Sequence, residues 1–230
     1  SATDSFGAAL TSPTVIGSVS YESVKDNNIN GTFVKFSNSG VIDANLTTPS
    51  TGSIHCFLKL TIMLNLETDP VLFGNPSGFW VKISRFNLKP YFGYGDNELT
   101  SDENFYIPSL GINNLHSMGF SWRKDPNSDY LQIYLCINDN EILNEITSIL
   151  YSDFDPKELF IGGIKLSSSA FSNGINANIL DWKVYNRFLA KSDFISLFNE
   201  KINKSNIWCG KITTDKNSLD YSAVSGSIAL

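Results

Sequence analysis

The sequence predicts an all-β protein: a two-sheet antiparallel β-sandwich with one short helix near residues 191–203. The clearest observation is the alternation of apolar residues through residues 53–65, which a strand places on one face of a sheet. Short β-prone segments separated by Gly, Pro, Asn and Asp make up most of the remaining chain. A single stretch has helical periodicity, with Phe194, Leu197 and Phe198 on one stripe. Many short strands and one late helix favour a sandwich or a closed barrel over an alternating α/β fold.

The composition is sufficient for one domain with a large core. The chain has 230 residues, of which 42% are hydrophobic, and all-β domains of this size are common. No internal repeat or low-complexity linker divides the sequence. We therefore expect a single domain over residues 1–230, with a core at about 32–200 and N- and C-terminal extensions that add edge strands.

The charge and the length of the apolar runs argue against nucleic acids and membranes as partners. Charged residues make up only 17% of the chain, the net charge is −6, and no basic stripe is present, so we expect no nucleic-acid binding. No apolar run approaches the length of about 20 residues that a helix needs to cross a bilayer, so we expect no membrane insertion. A surface of Asn, Ser and Thr suits an exposed binding or assembly protein.

The first half of the chain reads as short strands between polar turns. Lys25–Gly31 and Asn38–Gly40 have the composition of a loop and a turn. On the second face of the 53–65 strand, Phe57 and Met63 stand among polar residues, as on an exposed or partly covered sheet. The predicted strands of this half are Thr14–Val24, Thr32–Ser37, Ser53–Asn65, Val71–Gly74 and Phe79–Phe86.

The second half contains a hairpin and further strands. His116–Trp122 and Tyr130–Asn138 pair across the turn RKDPNSD, and Glu158–Ile164 forms a strand after Asp155-Pro156. Between them, Glu141–Glu145 is a polar segment that we interpret as solvated and possibly helical. The final segments WCGKITT and SLDYSAVSGSIAL supply one or two edge or returning strands.

The unit ANILDWKVYNRFLAKSDFISLFNEKI closes the predicted core. Its strand places Leu180, Trp182 and Val184 on one face, by strict alternation. Asn186-Arg187 then turns the chain. Ser192 caps the helix that follows, and Asp193 suits the positive N-terminal end of that helix.

The order of these segments resembles the concanavalin A-like lectin/laminin G superfamily over roughly residues 32–200. The resemblance lies in the early FVKF strand, the long alternating strand, the hairpin HSMGFSWRKDPNSDYLQIYLCIND and the LFIGG strand. The closing pattern matches at Asp181, Tyr185, Asn186, Arg187 and Leu189. Leu115 stands where the family has a tryptophan, and Asn138-Asp139-Asn140 replaces its glycine turn. The lectin-like half of clostridial neurotoxin binding regions has a similar layout, although no toxin-specific motif is present. The resemblance implies a jelly-roll fold and a role in sugar binding or adhesion.

The superfamily includes glycosidases, but the sequence offers no catalytic set. Retaining glycosidases need carboxyl groups about 5–5.5 Å apart, which two acids on one face of a strand can supply. The nearest candidates are Asp102-Glu103, in a loop, and the Glu141–Glu145 segment, and we interpret both as solvated acids. The only histidines, His55 and His116, do not complete a nucleophilic triad. We therefore expect a protein that is not an enzyme, with glycan hydrolase as the second alternative.

The best candidate for binding is the glycine-rich turn PYFGYGDN. Tyr91, Tyr94, Asp96 and Asn97 combine aromatic faces for sugar rings with polar groups for hydroxyls, on a loop carried by a rigid scaffold. The competing interpretation is a plain hairpin turn. The tryptophans that lie within strand patterns are predicted to be core residues, namely Trp80, Trp122 and Trp182.

The cysteines suggest neither a metal site nor a disulfide framework. An odd count of Cys56, Cys136 and Cys209 leaves at most one intrachain bridge, and we interpret all of them as reduced thiols acting as small hydrophobes. No Cys-x-x-Cys is present and the histidines are far apart. We predict no metal and no cofactor.

These observations support competing functions. The first is a non-catalytic, lectin-like carbohydrate-binding or adhesion module, extracellular or on a cell, toxin or virion surface, whose partner is a glycan or glycoprotein receptor. The alternative is a structural component of a virion, phage tail or cell-surface appendage that forms homo-oligomers or binds an assembly partner. Phe57 and Met63, the Tyr134/Cys136 face and the extension after Ser205 motivate this alternative.

Overall fold

The computed structural model describes residues 14–26, 29–47, 49–61, 68–75, 77–98, 109–138, 140–154, 157–165, 171–172 and 174–206. Nearly all regular structure in these residues is β, which confirms the all-β prediction. The α-helix is α1 (Lys191–Asn206), and a 3-10 turn covers Tyr151–Asp153. No helix among these residues is long and apolar enough to cross a membrane. The predicted strands beyond residue 206 lie outside the described residues.

All strand pairs are antiparallel, and several join strands that are distant in the chain. The strands are β1 (Thr14–Asp26), β2 (Ile29–Thr47), β3 (Gly52–Leu60), β4 (Val71–Gly74), β5 (Phe79–Ile83), β6 (Pro90–Tyr94), β7 (Asn97–Glu98), β8 (Leu115–Lys124), β9 (Tyr130–Ile137), β10 (Asn140–Leu150), β11 (Glu158–Ile161), β12 (Ile164–Lys165), β13 (Phe171–Ser172) and β14 (Ala177–Tyr185). The Glu141–Glu145 segment, interpreted as possibly helical, is part of strand β10.

The main sheet is one curled sheet of 12 strands rather than two separate sheets. Strand β1 lies along β2 over most of its length, so β14 and β11 both pair with the other edge of β2, at different positions. The first half of β2 therefore continues into β14, β3, β8, β9 and β10, which we call the β8 half-sheet. The second half continues into β11, β4, β5, β6 and β7, which we call the β5 half-sheet.

The pairing of β1 with β2 is interrupted within β2. Residues Asn38–Gly40, which were predicted as a turn, lie inside β2. The register of the β1–β2 pairing shifts at this point, between Gly17 and Val19 of β1. Gly40 is required there because a Cβ at this position would lie 2.4 Å from Ser18 O. The polar residues predicted as a turn thus interrupt the pairing of a long strand instead of ending the strand.

The half-sheets face each other across one hydrophobic core. The rings of Phe79 on β5 and Trp122 on β8 are 4.7 Å apart, although these strands share no ladder. The predicted apolar face of β3, including Leu58, is buried in this core, as are Trp122 and Trp182. Trp80 is also buried but lies outside this cluster.

Helix α1 covers the outer face of the β8 half-sheet and forms a second layer of packing. The Phe194 ring is stacked 6.1 Å from both His55 and Tyr134, and the Phe198 ring lies 6.3 Å from Phe57. This corrects the expectation of an exposed or partly covered face, because Phe57, Tyr134 and Cys136 are all buried. Met63 lies outside the described residues.

Helix α1 begins differently from the sequence prediction. Ala190 is the cap residue, because its carbonyl accepts the first helical hydrogen bonds from the Asp193 and Phe194 N–H groups. The Asp193 carboxylate in turn accepts a 2.9 Å hydrogen bond from the Ala190 N–H, which is half of a capping box. Ser192, predicted as the cap, is a helical residue in the first turn.

Strand β14 contains a β-bulge that the alternation rule did not predict. Leu180 pairs with Phe57 but Lys183 pairs with His55, so Asp181 and Trp182 together lie opposite one residue of β3. Asp181 has a φ of 51°, the left-handed conformation of a bulge residue. Leu180 consequently packs on the helix side with Phe57, while Trp182 enters the main core. The prediction that Leu180 shares a face with Trp182 is wrong.

Candidate functional site

The predicted site residues Tyr91, Tyr94, Asp96 and Asn97 lie on the β6–β7 hairpin but do not converge. Tyr94 belongs to the inner face, where its ring packs 5.6 Å from Phe154 and its hydroxyl donates to Asp153 O at 2.9 Å. Tyr91 is on the outer face. Asp96 is exposed in the turn after Gly95, and Asn97 pairs with Tyr94 through the β6–β7 ladder.

Tyr91 is part of a chain of charged and aromatic contacts on the outer face of the β5 half-sheet. The Tyr91 ring stands edge-on to Trp80 at 5.6 Å, and the Lys82 ammonium lies 3.9 Å from the centre of the Trp80 ring. The Trp80 indole donates to Gly95 O at 2.8 Å, which fixes the ring under these side chains. We call this group the Tyr91 surface; its members are Asp69, Trp80, Lys82, Arg85, Phe86 and Tyr91.

Asp69 organises the other end of the Tyr91 surface. Its carboxylate accepts a 2.8 Å hydrogen bond from the Tyr91 hydroxyl and a 3.0 Å hydrogen bond from the Arg85 N–H. The Arg85 Nε atom lies 3.9 Å from the same carboxylate. Burial, and then the hydrogen bond to Asp69, raise the pKa of Tyr91, so the phenol stays protonated and donates.

Phe86 is the most exposed large apolar side chain of the Tyr91 surface. It is 82% exposed, and the Arg85 guanidinium lies over its ring at 4.6 Å. Phe86 stands in a tight turn in which Leu88 N–H donates to Ser84 O at 2.9 Å and Lys89 N–H donates to the Asn87 side chain at 3.0 Å. The turn therefore presents an aromatic face beside a cation without requiring a flexible loop.

Sequence reasoning identified Tyr91 but missed its partners. The predicted strand Phe79–Phe86 in fact ends at Ile83, and Arg85 and Phe86 belong to the turn that follows. The sequence did contain a signal for Lys82. It alternates with the buried Val81 and Ile83, so its side chain projects from the opposite, outer face of β5. Asp69 could not be found this way, since only the β4–β5–β6 pairing brings it to Tyr91.

A second concave region lies where β14 leads into α1. A cleft of about 150 Å³ is enclosed by the end of the strand, the connecting segment and one face of the helix. Burial, followed by the negative charge of Glu200, raises the pKa of Tyr185 to about 12. The lining residues are Tyr185, Arg187, Leu189, Asp193, Ser196, Leu197 and Glu200.

The histidines are placed for structure rather than acid–base chemistry. His55 is buried beneath Phe194 with its Nε2 atom 2.8 Å from Ser117 Oγ, and burial, then the charge of Lys183, lower its pKa to about 4. His116 contacts Leu110 O through a hydrogen bond.

Within the described residues, no group of three His, Cys, Asp or Glu side chains could hold a metal ion. Glu145 is exposed on edge strand β10, and Asp102-Glu103 lie outside the described residues.

The comparisons with known proteins identify a shared fold. No protein family model matches the sequence, and no curated protein sequence matches it. The binding domain of botulinum neurotoxin serotype D/C superposes with a TM-score of 0.57 at 15% identity, covering 82% of this chain and 47% of that one. This chain has the fold of part of those toxin domains. The expected similarity of layout to clostridial neurotoxin binding regions is thus confirmed at the level of fold.

Further toxin structures give the same picture. The botulinum neurotoxin DC binding domain in complex with rat synaptotagmin II has a TM-score of 0.55 at 15% identity, over 82% of this chain and 46% of that one. A structure of botulinum neurotoxin type C, described as dependent on two ganglioside molecules for cell entry, has a TM-score of 0.55 at 16% identity with the same coverage of 82% and 46%. The chain spans just under half the length of these toxin domains.

Proposed function

We propose that this protein is a non-catalytic glycan-binding module that acts outside the cell or on a cell, toxin or virion surface. The Tyr91 surface is its binding site in this proposal, and residues 1–230 form one lectin-like domain. Of the predicted residues, Tyr91 lies at the centre of the surface. Asp96 and Asn97 lie at the far end of the same hairpin, where a longer glycan would reach them.

The observation that carries the proposal is the exposed Phe86 ring on an ordered turn, with a guanidinium stacked against it. A sugar ring has an apolar face that packs on an aromatic ring and hydroxyls that exchange hydrogen bonds with charged groups. Phe86 supplies the first, and Arg85, Lys82 and Asp69 supply the second. Because Asp69 already fixes Arg85 and Tyr91, these groups lose little conformational entropy when a ligand binds.

The structural neighbours support a receptor-binding role outside the cell. They are toxin binding domains, one solved with synaptotagmin II and one described through its ganglioside interactions. The matched fold covers about half of those domains, so their partners enter here as support for the class of function. We propose a glycan or glycoprotein receptor as the partner on this basis.

The test is binding of the purified chain to a glycan array, followed by titration calorimetry with the best ligand. We expect Phe86→Ala to weaken binding at least tenfold, about 1.4 kcal/mol, since aromatic anchors often dominate binding. Tyr91→Phe removes the hydrogen bond to Asp69 and should weaken binding less. Tyr21→Ala is the matched control, because Tyr21 is 72% exposed on β1, away from the Tyr91 surface.

Binding that is unaffected by Phe86→Ala would reject the proposed site, and the absence of binding to every glycan would reject the function. The same ligand is incubated with the protein and analysed for cleavage. Release of new reducing ends would show that the protein is a hydrolase rather than a non-catalytic binding module.

Assembly is the second candidate function, and one observation favours it. The face that first suggested it, Phe57 with Tyr134 and Cys136, is covered by α1. Within the described residues, however, β10 pairs only with β9 and exposes Ile146 (52%) and Leu150 (40%) along that edge. Open apolar edges of this kind pair with other strands. Sedimentation at micromolar concentration tests it, and a strict monomer would contradict it.

A further inference from the structure

Part of the outer face of the β8 half-sheet is not covered by α1. Tyr134 on β9 packs under the helix, whereas Tyr130, which alternates onto the same face, is 41% exposed. The ladders place Arg123 of β8 and Ile146 of β10 on either side of Gln132, so these side chains project from this face too. We call this region the Arg123 surface; its members are Arg123, Tyr130, Gln132, Asn144, Ile146 and Leu150.

Arg123 is held in one place by two contacts. Its guanidinium carbon lies 4.1 Å from the centre of the Phe188 ring, and its Nε atom donates a 2.7 Å hydrogen bond to Gln132 Oε1. The stacking fixes the plane of the guanidinium, and the hydrogen bond fixes its rotation within that plane. Because Nε is used in this way, the fork formed by Nη1 and Nη2 is left for a ligand.

The Phe188 ring is itself anchored. It meets the Tyr134 ring edge-on at 6.1 Å. The next residue is tied to two buried serines, since the Leu189 N–H donates to Ser53 Oγ and Ser121 Oγ donates to Leu189 O, both at 2.8 Å. The backbone beside Phe188 is therefore fixed to β3 and β8, and the arginine that stacks on this ring is ordered before any ligand arrives.

The polar side chains of the Arg123 surface direct their remaining N–H groups to solvent. An arginine can only donate, so Gln132 must turn Oε1 towards it and Nε2 towards Asn144, whose Oδ1 atom accepts at 2.8 Å. The amide nitrogen of Asn144 then faces away from the row. Its N–H groups and those of the Arg123 fork have no acceptor among the residues that the structure describes. The row therefore suits a ligand that supplies acceptors.

The charge of Arg123 is not offset by a carboxylate of the described chain. Its polar and ring contacts there are those with Gln132 and Phe188, and neither Nη atom is buried. The neighbouring Lys124 differs, because its ammonium lies 2.5 Å from the Asp129 carboxylate. A planar fork with an uncompensated charge matches a carboxylate, which accepts two parallel hydrogen bonds.

Exposed apolar side chains lie next to this cation. Ile146 and Leu150 are both exposed, and Leu150 stands beside Tyr130 across the β9–β10 ladder. An exposed apolar patch with a polar border is typical of an interaction site. Branched aliphatic chains offer a sugar no flat ring to stack on, whereas Tyr and Arg are among the side chains that dominate protein interfaces. The combination favours a protein over a glycan.

We propose that the Arg123 surface binds a protein partner through a Glu or Asp side chain that is flanked by apolar side chains. The partner's carboxylate accepts from Arg123 Nη1 and Nη2, and its apolar neighbours pack on Ile146 and Leu150. A basic partner is disfavoured because it would meet a guanidinium and outward N–H groups. The surface lies on the other half-sheet from the Tyr91 surface and does not depend on the glycan proposal.

The test is NMR titration of the full chain with acetyl-Ile-Glu-Leu-amide and with its uncharged analogue acetyl-Ile-Gln-Leu-amide. We expect the glutamate peptide to shift the side-chain N–H signals of Arg123 and Asn144 and to bind about fivefold more tightly than the glutamine peptide. Arg123→Gln should abolish this preference, and Ile146→Ser should weaken both peptides alike. Lys124→Gln is the matched control, because it removes the same charge from the next residue of β8, on the opposite face.

Equal affinity for the two peptides, binding of neither, or a preference that survives Arg123→Gln would overturn the proposal. A loss of preference in Lys124→Gln as large as in Arg123→Gln would overturn it as well. Backbone amide spectra of each variant verify that the fold is intact. Tighter binding of glucuronate than of the glutamate peptide would assign the surface to an acidic glycan, and self-association in sedimentation that Arg123→Gln abolishes would assign it to a second copy. Either result rejects a foreign protein partner.

Discussion

Helix α1 is held on the sheet by a contact that a single methyl group should disrupt. Gly119, in the middle of β8, faces Phe194, and a Cβ at Gly119 would lie 2.3 Å from Phe194 Cδ1 and 2.5 Å from Cγ and Cε1. The ring cannot move aside easily, because it is 1% exposed and stacked between His55 and Tyr134. Gly119→Ala therefore overpacks the layer between helix and sheet, at a cost of about 1–3 kcal/mol.

The same contact predicts a strong coupling between the two positions. Phe194→Ala should cost about 3–5 kcal/mol, as for other buried aromatic residues. In that background the space over Gly119 is empty, so adding Gly119→Ala should be neutral or stabilise by about 0.5–1 kcal/mol, through the lower backbone entropy of alanine. The double mutant should then be more stable than the sum of the single effects predicts, by about 1–4 kcal/mol.

Urea unfolding followed by tryptophan fluorescence and circular dichroism measures all four corners of this cycle. Ser148→Ala, on the exposed face of β10, serves as the control and should change stability by less than about 0.5 kcal/mol. Additive effects of Gly119→Ala and Phe194→Ala, or a neutral Gly119→Ala in the native background, would show that Phe194 does not pack against β8 as described.

Further predictions concern the bulge, the buried histidine and the helix cap. Asp181→Gly should leave the thermal unfolding temperature unchanged or raise it, whereas Asp181→Val should destabilise by about 1–2 kcal/mol, because a β-branched residue resists the left-handed conformation. Burial lowers the pKa of His55 from its ordinary value of about 6.5 to about 4, so the neutral ring contributes stability above pH 6.5 that should be lost as the pH falls towards 4. His55→Asn should flatten that part of a stability–pH profile. Asp193→Ala should cost about 1 kcal/mol, and Ser192→Ala only a few tenths.

Each of these has a result that would contradict it. Equal unfolding temperatures for Asp181→Gly and Asp181→Val would contradict the left-handed bulge conformation described at Asp181. A stability–pH profile that keeps its slope between pH 4 and 6.5 in His55→Asn would assign the slope to other groups. A larger loss of stability from Ser192→Ala than from Asp193→Ala would indicate that Ser192 caps the helix after all.

The strand identity of β3 and the helix identity of α1 followed from the sequence because both patterns are local. Ile54, Cys56 and Leu58 are all buried on the core face of β3, since alternating side chains must point the same way whatever the strand packs against. Phe194 is buried by the same reasoning applied to a helical period. The periodicity of side chains along a strand or helix needs no knowledge of partners.

In β14, alternation alone does not determine which face each side chain occupies. Leu180 and Trp182 are two residues apart and would share a face in a regular strand. The bulge at Asp181 is set by pairing with β3, a strand more than a hundred residues earlier in the chain, and it sends Leu180 to the helix side. No local pattern contains that information.

The sequence by itself determined the all-β class, the strand that forms the centre of the core, and the one helical stripe. Only the tertiary structure decided which faces are covered and which distant residues meet. Helix α1 buries Phe57 and Tyr134, and the pairing of β4, β5 and β6 brings Asp69 to Tyr91. The physical reason is that side-chain direction is fixed by the backbone dihedrals of neighbouring residues, whereas burial and hydrogen-bond partners depend on elements that are distant in the chain and meet only after folding.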